Sequence, residues 1–394
     1  MPAGRLSWLQ DRLILRTAQG GRWQPVRAPQ FAIRTVRILA VPLLMAGVAP
    51  ATVAAAQTRS PDPAAAFTVT GQLFGVAATS ATNAWAVGTG SGAKTLILRW
   101  NGTSWTQVAS PSPGSGGSLA RVAATSASNA WAVGTAGGKA LILRWNGTAW
   151  KQVPSPSPAG GAALAGVAAT SATNAWAVGS SGTGTTLIER WNGKTWMQVP
   201  SPTPSRGRLF GVAATSASSA WAVGMTRPSS GPGKTLILRW NGTAWTRIPS
   251  PSPGADGSLN DVAATSARNA WAVGVSGNGL GSMNTLIERW NGSAWTQAPS
   301  PNDAGPLNGV TAVSASSAWT VGCSQCDSGL DEAQILGWNG KTWTQAPGPA
   351  PAEGHFLYGV AATSASNAWA VGQAASLTGP TKTLILRWNG TTWK

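Results

Sequence analysis

Residues 119–150 read LARVAATSASNAWAVGTAGGKALILRWNGTAW, and the same pattern returns seven times along the chain. AWAVG, once varied to AWTVG, places its Trp at 85, 131, 176, 221, 271, 319 and 369, with spacings of 45 to 50 residues. WNGxxW follows each copy, its first Trp at 100, 145, 191, 240, 290, 338 and 388 and its second at 105, 150, 196, 245, 295, 343 and 393. These positions hold 21 of the 23 Trp; the other two, Trp8 and Trp23, precede the repeats.

Each unit reads as four short strands. In the quoted copy they are Leu119–Thr125, Ala130–Gly134, Ala140–Trp145 and Ala149–Val153, separated by a SASN turn, a variable loop and Asn146-Gly147. Asn-Gly between strands predicts a tight hairpin whose two central residues both take positive φ. A PSPSPAGG linker leads to the next copy, and no segment carries a sustained helical period. A period of this length with four strands per unit is the signature of a propeller. The chain is therefore expected to be all-β, a seven-bladed β-propeller of four-stranded antiparallel blades over residues 66–394, with repeats starting near 73, 119, 164, 209, 259, 307 and 357. Strand chemistry agrees. The first two strands are built of Gly, Ala, Val, Thr and Ser, which fit a crowded axis, and LILRW in the third is apolar at successive positions, as in a strand covered on both faces. An open β-solenoid or a string of small β units is the alternative.

The last copy stops at Trp393-Lys394, at the start of its fourth strand. Ala66-Phe67-Thr68-Val69-Thr70, just ahead of the first copy, is the segment expected to complete that outer strand and latch the ring; a truncated fragment is the other reading.

The unit GVAATSASNAWAVG…TLILRWNGTTW resembles the tandem repeat of secreted bacterial β-propeller proteins. Its NGxxW hairpin is similar to the Asp-box turn of sialidase-type propellers, with Asn in place of Asp, and its spacing is similar to kelch repeats without their double Gly. The resemblance covers residues 73–394. It implies an architecture rather than an activity, because the catalytic Tyr and Asp of sialidases find no matching motif here.

Composition narrows function by subtraction. One His, one Tyr and two Cys leave little catalytic material, and charged residues make up only 10% of the chain. Copper-radical oxidation needs several Tyr and His. Glycoside hydrolysis needs paired carboxylates, and no motif places two acids at one site. No cofactor is expected.

Residues 1–37 contain Arg5, Arg12, Arg16, Arg22, Arg27, Arg34 and Arg37 against the single acid Asp11. An apolar run, Ile38–Ala56, then ends in Ala54-Ala55-Ala56. A basic region, an apolar run and a small-residue site make residues 1–56 a signal peptide with a long basic n-region, and 57–65 a linker. A single membrane anchor is the alternative, for which the Pro-interrupted run is short. Export to a secreted or cell-surface location follows, with no other membrane contact. Its removal leaves 21 bases and 10 acids, net +11 and dispersed. Nucleic-acid binders cluster their charge, so no nucleic acid is expected; dispersed charge gives at most loose attraction to anionic polymers such as cell-wall polysaccharide, and the expected partner is a polysaccharide or a surface protein. A monomer is expected.

Several motifs have structural readings. Regular Trp at three fixed positions, among them Trp85, Trp100, Trp105, Trp221, Trp240 and Trp245, points to packing between blades rather than sugar stacking. Arg99, Arg144, Arg190, Arg239, Arg289 and Arg387 precede the WNG Trp in six copies, with Gly337 in the sixth. They read as repeated Arg–Trp stacks rather than an anion ring. Glu189 and Glu288, each one residue ahead of its Arg, read as local charge variation. The sequons at Asn101, Asn146, Asn241, Asn291 and Asn389 reflect the turn, since Asn192 and Asn339 keep Asn-Gly without the hydroxyl. Cys323 and Cys326 lack partners for a metal site and are expected to form a short loop disulfide in an oxidising compartment. Asp327, Asp331 and Glu332 match no Ca²⁺ loop, and no metal is expected.

Loops between the second and third strands vary in length: Met225–Gly233, Val275–Met283, Cys323–Glu332 and Gln373–Thr381. Function concentrates on variable loops over a rigid scaffold. Candidate binding residues on that face are Arg227, Asn278, Asp327, Asp331, Glu332, and His355 and Tyr358 from the linker and strand of copy seven. A non-catalytic binding or adhesion module is the favoured function, with a glycan-active hydrolase or lyase, or an envelope scaffold, as alternatives.

Overall fold

A computed structural model describes residues 68–114, 116–158, 160–202, 206–228, 231–277, 283–301, 305–324, 326, 332–346, 354–375 and 379–394. The leader, its linker, Ala66 and Phe67 lie outside the described residues. Among the described residues no helix is long and apolar enough to cross a membrane.

Seven antiparallel sheets succeed one another, each meandering outward in chain order. Blade 1 runs Gly71–Ser80, Asn83–Gly90, Lys94–Trp100 and Trp105–Gln107. The first strands of the other blades are Gly117–Ser126, Ala162–Ser171, Gly207–Ser216, Asp256–Ser266, Leu307–Ser314 and His355–Ser364. These strands contact one another in sequence around the axis, and the strand of blade 7 contacts that of blade 1. They begin up to three residues before the apolar pattern does, because Gly71 and Gln72 pair with Gly90 and Thr89 despite carrying no apolar signal.

Small residues at the axis have a steric cause. A Cβ on Gly211 of blade 4 would lie 2.8 Å from the Asp261 Cα of blade 5, and one on Gly359 of blade 7 would lie 3.0 Å from the Phe74 carbonyl oxygen of blade 1. The same contact type recurs across the seam, so the inner strands form a closed ring. Each first strand also carries a bulge: Leu73 pairs with Gly88 and Gly75 with Val87, leaving Phe74 as the extra residue. Bulges re-aim side chains, and the same register shift recurs in the first strand of the other blades.

Between blades the core is aromatic. Trp85 of blade 1 packs on Trp145 and Trp150 of blade 2, with ring centroids 4.9 and 5.1 Å apart. Trp221 of blade 4 meets Trp290 and Trp295 of blade 5 in the same way. Trp85, Trp100, Trp105, Trp221, Trp240 and Trp245 are all buried. Each buried indole removes roughly 150–250 Å² from water.

The fourth strand of blade 7 is composite. Arg387 and Lys394 exchange backbone hydrogen bonds of 2.8 and 3.0 Å, while Thr383 donates its N–H to the Val69 carbonyl at 2.9 Å and Gly71 donates to Thr381 at 2.9 Å. Val69 also donates to the Thr383 hydroxyl at 3.1 Å. The chain on either side of the seam therefore shares one strand position.

The Asn-Gly hairpin differs from expectation. Trp100 pairs directly with Trp105, so the loop is Asn101–Ser104, four residues rather than two. Gly102 has φ 104°, while Asn101 is not among the positive-φ residues. Asn101 instead accepts at Oδ1 from the N–H groups of Thr103 and Ser104, both at 2.9 Å. Asn192 and Asn339 accept in the same way without a sequon. The Asn is kept for its side-chain acceptor.

Candidate binding site

The axis carries the first specific chemistry. Its innermost position is Gly75, Gly166, Gly211, Gly309 and Gly359 in five blades, but Arg121 in blade 2 and Asp261 in blade 5. Arg121 Nη1 donates to the Phe74 carbonyl of blade 1 at 2.7 Å, and Nη2 donates to the Asn308 carbonyl of blade 6 at 2.9 Å. Asp261 accepts from Val262 N–H at 2.9 Å and from Val310 N–H of blade 6 at 3.1 Å. Asn260 donates to the Leu307 carbonyl at 2.9 Å and Asn308 to the Leu357 carbonyl at 3.0 Å. These four side chains tie inner strands of neighbouring and non-neighbouring blades together. Sequence reading missed them; the signal was the departure of two copies from Gly at one repeat position.

An aromatic group sits beside this plug. Tyr358, the bulge residue of blade 7, meets Phe74 of blade 1 edge-on at 5.4 Å and Phe356 in parallel at 6.3 Å. Tyr358, Phe356 and His355 are all half-buried on one inner strand. The structure thus places His355 in the first strand of blade 7, paired with Ala374, rather than in a linker. It brings Tyr358 together with Phe74 and Phe356, on the strand whose first residue, at the variable-loop end, is His355.

Arg227 is exposed at the edge of its loop, its N–H bonded to the Arg206 carbonyl at 3.0 Å. Glu332 is exposed and opposite Ser324. Asn278, Asp327 and Asp331 lie outside the described residues. Cys323 and Cys326 are joined by a disulfide with Cα atoms 6.0 Å apart. Among the described residues no three His, Cys, Asp or Glu gather as a metal site would require.

Glu189 and Glu288 occupy an interior position that is Leu98, Leu143, Leu238, Leu336 or Leu386 in the other blades. Both are fully buried. Burial pushes Glu288 up to about 8 and Glu189 up to about 7, the latter pulled partly back by the Ser155 hydroxyl. Ser155 Oγ donates to Glu189 at 2.8 Å, whereas neither Glu288 oxygen has a hydrogen-bond partner. The difference lies one strand away. Ser250, the counterpart of Ser155, is engaged by Thr235 at 2.8 Å, and blade 2 has Ala140 at that position. Reading these acids as local charge variation missed their burial. Enclosed in separate blades, with blade 4 between them, they cannot act as a carboxylate pair on a glycan.

The opposite face is built of short repeated turns. A shallow groove of about 530 Å³ there, between blades 7 and 1, is lined by Ala81, Ser366, Asn367, Arg387, Trp388, Asn389 and Lys394.

No protein-family model matches the chain, and no curated protein matches it. Solved structures share its fold. YCF48 bound to D1 peptide is similar at 16% identity and TM-score 0.53, over 83% of this chain and 96% of that one. A polysaccharide lyase, an ulvan lyase bound to a glucuronate–sulfated rhamnose unit, is similar at 8% identity and TM-score 0.54, over 82% and 96%. A xyloglucanase from Xanthomonas campestris is similar at 15% identity and TM-score 0.55, over 84% of this chain and 55% of that one. At these identities the likeness is one of fold.

Proposed function

We propose that the protein is an exported, non-catalytic binding propeller that recognises polysaccharide or a surface protein through the variable-loop face. One observation carries this reading: the two faces are unequal. The turns of one face repeat with the same SAS or SAT and Asn-Gly hydrogen bonds in blade after blade. On the other face the connection from second to third strand ranges from Gly137-Gly138 in blade 2 to the interval between Thr226 and Lys234 in blade 4. A scaffold with one constant and one diversified face suits recognition, in which loops vary while the frame holds.

Two further observations support it. Arg121, Asp261, Asn260 and Asn308 fill the axis with satisfied hydrogen bonds, so a ligand would rest on the mouth rather than enter it. Phe74, Phe356 and Tyr358 give that mouth an aromatic floor. The fold also serves a peptide-bound protein and a polysaccharide-bound one among similar structures. An enzyme or an envelope scaffold remains the competing reading. Export follows from the basic, apolar and Ala-rich leader.

Glycan and peptide arrays probed with the mature chain test this. Saturable binding that disappears when the short blade 2 loop replaces the loops of blades 4 to 7 is the expected result. Product release from a bound glycan would favour an enzyme, and silence on both arrays a scaffold.

A further inference from the structure

Six of the seven blade interfaces hold an arginine in the same slot. The guanidinium carbon of Arg99, Arg144, Arg190, Arg239, Arg289 or Arg387 lies 4.9–5.5 Å from two indole rings, one in its own blade and one in the next. The seventh interface, between blades 6 and 7, has Gly337 instead, opposite Trp319 in register. Its rings, Trp319 and Trp388, are uncapped among the described residues.

The ring pair has kept its spacing and tilt. Trp319 and Trp388 are 4.8 Å apart at 54°, against 4.9 Å and 57° for Trp131 and Trp191, where Arg144 is present. Trp393 completes the triad at 5.3 Å and 88°. The two rings keep their mutual spacing, while Trp319 leans over Gly337, its Cζ3 within 2.9 Å of where a Cβ would sit. They are more open: Trp319 is 8% exposed where Trp85, Trp131 and Trp176 are 0%, and Trp388 is half-buried where Trp145 and Trp191 are buried. Trp338, which Arg289 caps, is also half-buried, so the exposure of Trp319 is the feature particular to the uncapped slot.

An acceptor is also in place. Arg190 Nη2 donates to the Ala217 carbonyl of the next blade at 3.2 Å, although that oxygen already accepts from Trp240 Nε1 at 3.1 Å. The matching oxygen at the open slot, Ala365, accepts from Trp388 Nε1 at 2.9 Å.

We propose that the Trp319–Trp388 cleft is a binding site for an arginine side chain of a partner polypeptide, which would take the place that Arg387 and its equivalents take within the chain. The occupant is argued from the molecule itself. Six identical frames select guanidinium and none selects Lys. A planar guanidinium stacks on an indole face while donating in its own plane; an ammonium donates too, but it is a compact, strongly hydrated point charge with no plane to lay between two rings. The site lies between blades and is independent of the variable loops.

The test titrates N-acetylarginine N-methylamide into the mature chain and follows the indole N–H resonances by NMR. One saturable site is expected, with shifts confined to Trp319, Trp388 and their neighbours, and the lysine analogue binding roughly tenfold more weakly. Gly337→Arg should abolish it by filling the slot in cis. Arg289→Gly should open a second slot at Trp271 and Trp338, giving two sites. A Cβ at 337 would approach Trp319 Cζ3 to 2.9 Å, so Arg289→Gly decides the matter if Gly337→Arg does not fold. No saturable shift in the native chain, equal binding of the lysine analogue, or no second site in Arg289→Gly would overturn the assignment.

Discussion

Arg387 of blade 7 stacks on Trp100 of blade 1, its guanidinium carbon 5.3 Å from the ring centroid and 4.9 Å from that of Trp369 in its own blade. The residues are nearly the length of the propeller apart in sequence, yet the contact copies the one Arg99 makes with Trp85 and Trp145 at 5.1 and 5.4 Å. The seam is thus built by the rule that builds five of the other six interfaces. Closure is a repetition of local packing, with Val69 and Thr383 adding a strand-to-strand bond across it.

Removing one staple should be costly. Trp221 is 1% exposed and touches Trp290 and Trp295 of the next blade. Trp221→Ala is expected to lose about 3–5 kcal/mol, read as a fall in melting temperature. Trp221→Phe should lose distinctly less, because the indole Nε1 has no hydrogen-bond partner to forfeit and a ring remains against the pair. Equal losses for the two would contradict packing as the role of this residue.

The buried acids set a pH dependence. With Glu288 pushed up to about 8 and Glu189 to about 7 from an ordinary 4.5, the folded state holds protons that the unfolded chain releases. Their contribution is full below pH 4.5 and is lost as pH rises through about 7 to about 8. Glu288→Leu, which restores the residue of blade 4, should stabilise by about 1–4 kcal/mol at alkaline pH and flatten the profile. Thr235→Ala should act more mildly, by freeing Ser250 to hydrogen-bond Glu288 as Ser155 does Glu189. Denaturation curves from pH 5 to pH 9 check both; a Glu288→Leu variant with an unchanged slope would refute the burial argument.

Arg121 acts as a strut. It links the inner strands of blades 1 and 6 through two carbonyls. Arg121→Gly, the residue of five other blades, removes both charge-assisted bonds and should destabilise by about 2–4 kcal/mol. Calorimetry reads the loss, and array binding by the surviving folded protein should be unaffected if the axis only supports the faces.

Much of the fold is legible because the repeat writes each constraint seven times. Trp at three positions, small residues in the first strands and LILRW in the third all report a fixed environment. What escapes is what happens once. Arg121 and Asp261 stand out only when the copies are superposed on Gly75, and Glu288 looks like surface charge until its Leu counterparts are seen to be interior. The Asn-Gly turn is misjudged for another reason. Dipeptide chemistry points to two residues with positive φ, but tryptophans at 100 and 105 pair directly and force a four-residue loop capped by Asn101. The variable-face candidates are scattered: His355 and Tyr358 share an inner strand, while Arg227 and Glu332 sit on different blades, since loop composition says nothing about which loops converge.

Closure of the ring is tested most directly by a nuclear Overhauser effect between the indole protons of Trp100 and Trp369, whose centroids are 4.9 Å apart across the seam. The pair Trp85 and Trp145, also at 4.9 Å but within the continuous chain, is the internal standard. The two cross-peaks should be of comparable intensity. A strong Trp85–Trp145 peak with none between Trp100 and Trp369 would show that the blades pack in series without closing.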